Sequence, residues 1–149
     1  MCEAYFNYLC RKNGTDDRLL AESAGTHAWE GDKASPHAVA VLAGIPTGIA
    51  DHSARRITRE MILSADLVVP MSGAQKQIVL AMVSEADKKT ELLGRFSRTL
   101  RPDPEINDPF GGDEESYARC FAEIREPLDN LYELFSNKIQ KQEKSHAEN

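Results

Sequence analysis

Residues 64–70 read Ser-Ala-Asp-Leu-Val-Val-Pro, a short apolar segment that ends in proline. Its run of consecutive apolar residues is typical of a strand buried on both faces, and Pro70 ends the hydrogen-bonding ladder because it has no amide hydrogen. A helix is predicted on each side of the strand, over residues 58–65 and 73–84. A strand placed between helices is the repeating unit of α/β proteins.

The same alternation extends toward both ends of the chain. Residues 19–24 and 90–93 are two further short strand candidates. Helical spacing of apolar residues predicts a first helix over residues 2–9, another over 36–43, and a last helix whose apolar stripe covers 117–135. We therefore predict an α/β domain with a short parallel sheet and helices on both faces.

The start of the chain is unusual for such a domain. The first helix has no capping residue ahead of it, and no strand precedes it, although a strand should feed each helix of this kind. Only three strand candidates are visible, which is fewer than a typical sheet contains. We therefore expect that a segment before Met1, including a first strand, is missing from the chain as given.

Composition limits the classes of function. The chain has 149 residues and a formal net charge of -6, with 24 acidic and 18 basic side chains. We expect one domain over residues 1–138 and a polar, disordered tail over 139–149. The acidic balance argues against nucleic acid and anionic membranes as partners, and no apolar run is long enough to cross a bilayer, so we expect a cytoplasmic protein.

Cysteine and histidine spacing indicates no metal site. The three cysteines lack Cys-x2-Cys spacing, and the four histidines include no pair at positions i and i+4. We therefore expect no metal and no cofactor. The oligomeric state stays open.

Several motifs occur in a recognisable order between Met1 and about Lys138. They are Met1-Cys2-Glu3-Ala4, Glu22-Ser23-Ala24-Gly25-Thr26, Asp51-His52-Ser53-Ala54-Arg55, Ser64-Ala65-Asp66-Leu67-Val68 and Asp108-Pro109-Phe110-Gly111-Gly112. Together they resemble low-molecular-weight protein tyrosine phosphatases, with features of the bacterial branch that includes protein arginine phosphatases. The resemblance implies a three-layer α/β/α domain whose first strand, central in the sheet, is absent here.

In that family the first strand leads into a loop of Cys, five residues and Arg, followed by a helix that begins Met-Ala-Glu. Residues 1–3, Met-Cys-Glu, match that helix start, but the chain contains no Cys-x5-Arg, because Tyr8, Asp16 and Glu126 lie six positions after its cysteines. Such a loop binds a phosphate dianion with its backbone amides and its arginine, and lowers the pKa of the attacking thiol. The resemblance therefore implies that this chain is inactive as written.

The resemblance also assigns roles to individual residues. Asp108 is implied to be the general acid, Ser23 and His52 are implied to support the phosphate loop, and Trp29 and Phe110 are implied to form walls of the substrate cleft. Local sequence alone favours simpler interpretations of Asp108, Ser23 and His52, since Asp-Pro-Phe-Gly-Gly forms a turn in any context. For Phe110, packing and a place in the cleft are equally supported, whereas the polar loop around Trp29 favours the cleft. A hydrolase triad of Ser23, His52 and Asp108 is a further alternative, although Gly-x-Ser-x-Gly is absent.

Two functions remain open. The resemblance implies a phosphatase that hydrolyses phosphotyrosine or phosphoarginine on proteins, or a small aryl phosphate, through a phosphocysteine intermediate. Asp108 does not separate these substrates, because both leaving groups need a proton. The alternative is a non-catalytic phosphatase-like module that binds a partner in the remaining cleft.

Overall fold

The structure, a computed structural model, describes residues 1–99 and 102–147, with side chains as far as Gln142. Within these residues the regular elements are helical. The α-helices are α1 (Cys2–Lys12), α2 (Pro36–Val41), α3 (Arg59–Ser64), α4 (Gly73–Met82) and α5 (Glu114–Ala147). Short 3-10 helices cover Ile49–Asp51, Ser84–Lys89 and Leu93–Phe96.

Local capping explains where the middle helices begin. The Thr58 hydroxyl accepts the amide of Met61 at 3.3 Å before α3, and Ser72 accepts the amide of Gln75 at 3.3 Å before α4. Each hydroxyl satisfies an amide that has no partner within its helix. By contrast, α1 follows Met1 without a side-chain cap.

The predicted strands are not formed as strands in residues 1–99 and 102–147. In the segments expected to form strands, pairing is limited to two isolated parallel bridges, Gly25 with Arg56 and Val68 with Thr90. A strand needs a partner along its whole length, and each bridge is a single contact on one side only. The pairing that is present is parallel, and the three-layer arrangement with a parallel sheet stays a prediction.

The buried residues form separate clusters. In one cluster α1 packs against α5, where the rings of Tyr5 and Phe121 meet edge to face at 5.4 Å and the Tyr5 hydroxyl donates to Asp129 at 2.8 Å. Buried residues of this cluster include Phe6, Leu9, Ile124, Leu128 and Leu131. In another cluster α3 and α4 bury Ile62, Val79, Val83 and Ala86.

Helix α5 covers the carboxyl-terminal part of the chain. It contains the buried Pro127 and continues to Ala147, into the region where the sequence predicts a polar tail. The domain boundary at residue 138 stays a prediction. No helix in residues 1–99 or 102–147 has the length and apolar character that crossing a membrane would require.

Candidate active site

Glu3, in the first turn of α1, joins two of the residues singled out in the sequence. The Ser23 hydroxyl donates a hydrogen bond to the Glu3 carboxylate, and His52 Nδ1 lies 3.8 Å from Glu3 Oε2. The side chains of His52 and Glu3 are 31% and 32% exposed, so the cluster is partly shielded from water. The structure thus brings Ser23 and His52 together at the amino end of α1.

Arg55 fixes the segment that carries Ser23. Its Nε donates to the Ser23 carbonyl at 3.0 Å, and its guanidinium lies 3.1 Å from a carboxylate oxygen of Glu22. The backbone reinforces this contact, because the Gly25 amide donates to the Arg55 carbonyl at 2.9 Å. Residues 22–25 therefore have a defined position relative to the loop that carries His52.

The sequence did not single out Glu3 or Arg55 as site residues. Glu3 lies in the motif that marks the start of the first helix, but its partners lie 20 and 49 positions away. The available signal was an acidic residue in the first turn of an uncapped helix, where a negative charge is favoured. Local sequence does not reveal such long-range contacts.

Asp108 lies on a tight turn just before α5. Its carboxylate accepts the amide of Phe110 at 3.0 Å, and the amide of Gly112 donates to the Pro109 carbonyl at 2.9 Å. Gly111 has φ = 79°, a conformation that glycine adopts without steric cost. The turn predicted from local sequence is therefore present, and it leaves the Asp108 carboxylate on the surface.

The Asp108 turn lies beside the first turns of α5. Asp108, Phe110 and Arg119 line a shallow depression of about 400 Å³ that reaches the buried Cys120. Burial raises the pKa of the Cys120 thiol to about 11, with the negative charge of Asp108 adding to the rise and the amino group of Met1 opposing it. Among the described residues, no hydrogen bond or ion pair joins Asp108 to Ser23, His52 or Glu3, so their grouping in one site stays a prediction.

The two aromatic residues expected to form cleft walls are both on the surface. Phe110 is 87% exposed and Trp29 is 79% exposed, so neither ring is part of the core. The Trp29 loop is held next to the His52 loop, because the Gly31 amide donates to the Ala54 carbonyl at 2.8 Å. Simple packing into the core does not account for either ring.

None of the cysteines lies in surroundings that lower the pKa of its thiol. Loss of hydration inside the fold raises the pKa of the Cys2, Cys10 and Cys120 thiols, whereas a nucleophilic cysteine needs a lowered pKa. Across residues 1–99 and 102–147 there is also no cluster of three side chains able to hold a metal ion.

Solved structures identify the class of fold. A mutant of the YwlE arginine phosphatase with a phosphorylated active-site serine is similar with a TM-score of 0.80 and 30% identity, over 91% of this chain and 86% of that chain. A low molecular weight protein tyrosine phosphatase from T. tengcongensis is similar with a TM-score of 0.78 and 32% identity, over 89% of this chain and 87% of that one. The chain therefore has the α/β fold of these small phosphatases.

Sequence comparison then identifies the family. The chain belongs to the low molecular weight phosphotyrosine protein phosphatase family, whose sequence model matches residues 1–145. A protein-arginine-phosphatase from Bacillus subtilis is 31% identical over 131 residues, which is 88% of this chain and 84% of the relative. A low molecular weight protein-tyrosine-phosphatase from Streptomyces coelicolor is 31% identical over 124 residues, 80% of this chain and 75% of the relative.

Proposed function

We propose that this protein removes phosphate from phosphotyrosine or phosphoarginine on proteins, with Asp108 as the general acid. The observation that carries the proposal is the joining of Ser23 and His52 by Glu3 at the amino end of α1. The first amides of a helix attract anions, and a phosphate held there needs supporting groups that fix the surrounding loop. Ser23 and His52 are the supporting groups in this proposal.

The proposed reaction passes through a phosphocysteine. A thiolate attacks phosphorus, the bond from phosphorus to the leaving atom breaks, and water then hydrolyses the thiophosphate. The relative with a phosphorylated active-site serine supports an enzyme-bound phosphoryl group. Because the chain contains no Cys-x5-Arg, we propose that residues 1–149 alone are inactive, and that activity needs this loop placed after a strand that completes a three-layer α/β/α domain.

The exposure of Asp108 supports its role as the general acid in this proposal. Its carboxylate is on the surface, where it could reach the leaving oxygen of a tyrosine ester or the leaving nitrogen of a phosphoarginine. The exposed rings of Trp29 and Phe110 offer flat surfaces for the leaving group. The relatives include both arginine and tyrosine phosphatases, so both substrates belong to the proposal.

A second candidate is a non-catalytic phosphatase-like module that binds a partner. It is favoured because burial raises the pKa of each cysteine thiol in the chain, which disfavours the thiolate that would attack phosphorus. A protein with this active-site scaffold and no nucleophile could still bind a phosphorylated segment without cleaving it. The two candidates differ in whether restoring the loop restores turnover.

Hydrolysis of an aryl phosphate tests the proposal. Residues 1–149 are compared with a chimaera in which the strand and Cys-x5-Arg loop of the Bacillus subtilis relative precede Met1. Only the chimaera should release phosphate, and replacing its loop cysteine by serine should abolish release. Equal, non-zero rates from both chains would mean that the nucleophile has been misassigned, and an inactive but folded chimaera would favour the binding module.

A further inference from the structure

The segment just before Asp108 is anchored at the start of α4. The amide of Ile106 donates to the Met71 carbonyl at 2.9 Å, and the Ile106 side chain is buried in the α1 and α5 cluster. One position earlier, a carboxylate oxygen of Glu105 accepts the amide of Gly73, the first residue of α4, at 2.8 Å. Two neighbouring residues therefore attach the chain at this point, and Asp108 follows Ile106 by only two positions.

The start of α4 is itself held in place. The Ser72 hydroxyl accepts the amide of Gln75 at 3.3 Å, and the Gln75 side chain accepts the amide of Met71 at 2.8 Å. Such reciprocal hydrogen bonds are related to the capping box, which fixes the entry of a chain into a helix. Residues 71–73 therefore form a fixed support, and a segment that is hydrogen-bonded to them acquires a defined position.

Glu105 supplies a negative charge that the start of α4 lacks. The first turn of α4 contains no acidic residue of its own. The first amides of a helix have no partner within the helix and carry partial positive charge, so a carboxylate bonded to one of them is favoured. Because Glu105 is exposed to water, which screens its charge, this contact should add little to the stability of the whole fold. We expect it to act on the position of its own loop.

The hydrogen bonds inside the Asp108 turn fix its shape but not its place in the molecule, because they join residues only two or three positions apart. The place of the turn depends on the chain to either side, and after the turn the chain enters α5. Before it, Pro104 packs closely against Gly94, and the next two residues are hydrogen-bonded at the start of α4. Among these anchors, the Glu105 carboxylate can be removed by a substitution that leaves the main chain unchanged.

We propose that Glu105 is a positioning residue, which holds the Asp108 carboxyl where it can protonate the leaving group. The inference rests on the proposed role of Asp108 as the general acid, and Glu105 acts through Asp108 without touching the substrate. Proton transfer depends steeply on placement, and a displacement of about 1 Å can cost about a hundredfold in rate. Because other anchors remain when Glu105 is replaced, a smaller loss of about three- to tenfold is expected.

The test uses the chimaera that carries the Cys-x5-Arg loop. Glu105→Ala removes both the acceptor and the charge, whereas Glu105→Gln keeps an oxygen acceptor. Gly73→Ala disturbs the same contact from the other side, because its Cβ would lie 2.9 Å from a Glu105 carboxylate oxygen, and the flexible glutamate side chain can move away. Glu91→Ala is the matched control, since the exposed Glu91 also accepts a backbone amide, that of Leu92, at 2.9 Å.

The expected results separate turnover from stability. Glu105→Ala and Gly73→Ala should each lower kcat for phenyl phosphate by about three- to tenfold, while KM and the urea unfolding midpoint stay nearly unchanged. Hydrolysis of nitrophenyl phosphate should fall less, because nitrophenol is a better leaving group and needs less protonation. Glu105→Gln should retain most of the rate and Glu91→Ala all of it, and an equal loss in Glu91→Ala would contradict the inference.

A double substitution separates positioning from a general structural effect. In an Asp108→Asn background, Glu105→Ala should cause no further loss of phenyl phosphate turnover, because the proton that Glu105 positions is then absent. The same fold-loss with and without the Asp108 carboxyl would overturn the inference, and so would full turnover in Glu105→Ala. Unchanged turnover in Asp108→Asn alone would instead refute the general-acid assignment on which the inference rests.

Amide hydrogen exchange in residues 1–149, measured by NMR, tests the anchor without turnover. Glu105→Ala should speed exchange at Gly73, which loses its acceptor, and at Phe110, whose hydrogen bond to Asp108 lies in the released turn. Faster exchange at Gly73 alone, or at neither amide, would overturn the inference, because the contact would then not hold the turn. An inactive but folded chimaera would refute the proposed activity, whereas the exchange result decides separately whether Glu105 holds the turn.

Discussion

Replacing Asp108 by asparagine separates the role of a proton donor from the role of a turn residue. The Asp108 carboxylate accepts the Phe110 amide at 3.0 Å, and an asparagine side chain keeps an oxygen acceptor at the same place. The turn should survive Asp108→Asn, whereas the ionisable proton is lost. In the chimaera carrying the Cys-x5-Arg loop, kcat should fall by about 10²–10⁴-fold, equivalent to about 2.7–5.4 kcal/mol of barrier.

The assay compares two aryl phosphates that differ in leaving-group quality. A poor leaving group such as phenol depends on protonation more than nitrophenol does, so Asp108→Asn should impair phenyl phosphate hydrolysis more. Asp108→Ala, the control, loses the hydrogen bond to Phe110 as well and should show an additional loss of substrate affinity. Unchanged phenyl phosphate turnover in Asp108→Asn, with native circular dichroism, would refute the general-acid assignment.

Two further predictions concern stability. Gly94→Ala should destabilise the fold by at least about 1–3 kcal/mol, because its Cβ would lie 2.2 Å from a backbone carbonyl oxygen. Gly44→Ala is the control and should be tolerated, because its Cβ would have no atom within 4 Å. Urea unfolding of both variants measures the difference in stability, and equal unfolding midpoints would contradict the prediction. Hydrogen bonds from the Ser97 hydroxyl and then the Arg98 amide lower the pKa of the Glu126 carboxyl. The stability that these hydrogen bonds add should be complete above the ordinary carboxyl pKa of about 4.3 and should be lost as pH falls through the lowered pKa of Glu126. Glu126→Gln should therefore lose less stability than the original protein when the pH is lowered. An equal loss in both proteins would contradict this prediction.

Helices could be predicted from the sequence because their signals are local. The threonine at 58 and the serine at 72 each lie next to the amides that they cap, and the structure confirms both helix starts. The strands could not be predicted in the same way. Residues 67–69 have strand composition, but strand formation depends on partners far along the chain, and only Val68 forms a bridge.

The sequence pointed to individual residues of the candidate site, whose roles stay predictions, but not to the contacts between them. Motif order pointed to Ser23 and His52, and a turn pattern pointed to Asp108. The carboxylate of Glu3, which joins Ser23 and His52, could not be recognised because its contacts depend on how α1 sits against the loops. Exposure of Trp29 and Phe110 was likewise decided by tertiary structure.

The separation of the buried clusters has a consequence for synthesis on the ribosome. The α3 and α4 cluster draws on residues 62–86, so it can assemble soon after that stretch emerges. The α1 and α5 cluster includes the contact of Tyr5 with Asp129, which spans 124 positions, and it must wait until nearly all of the chain has been made. During that interval the apolar face of α1 has no α5 to cover it, so nascent chains should depend on chaperones mainly through their first dozen residues.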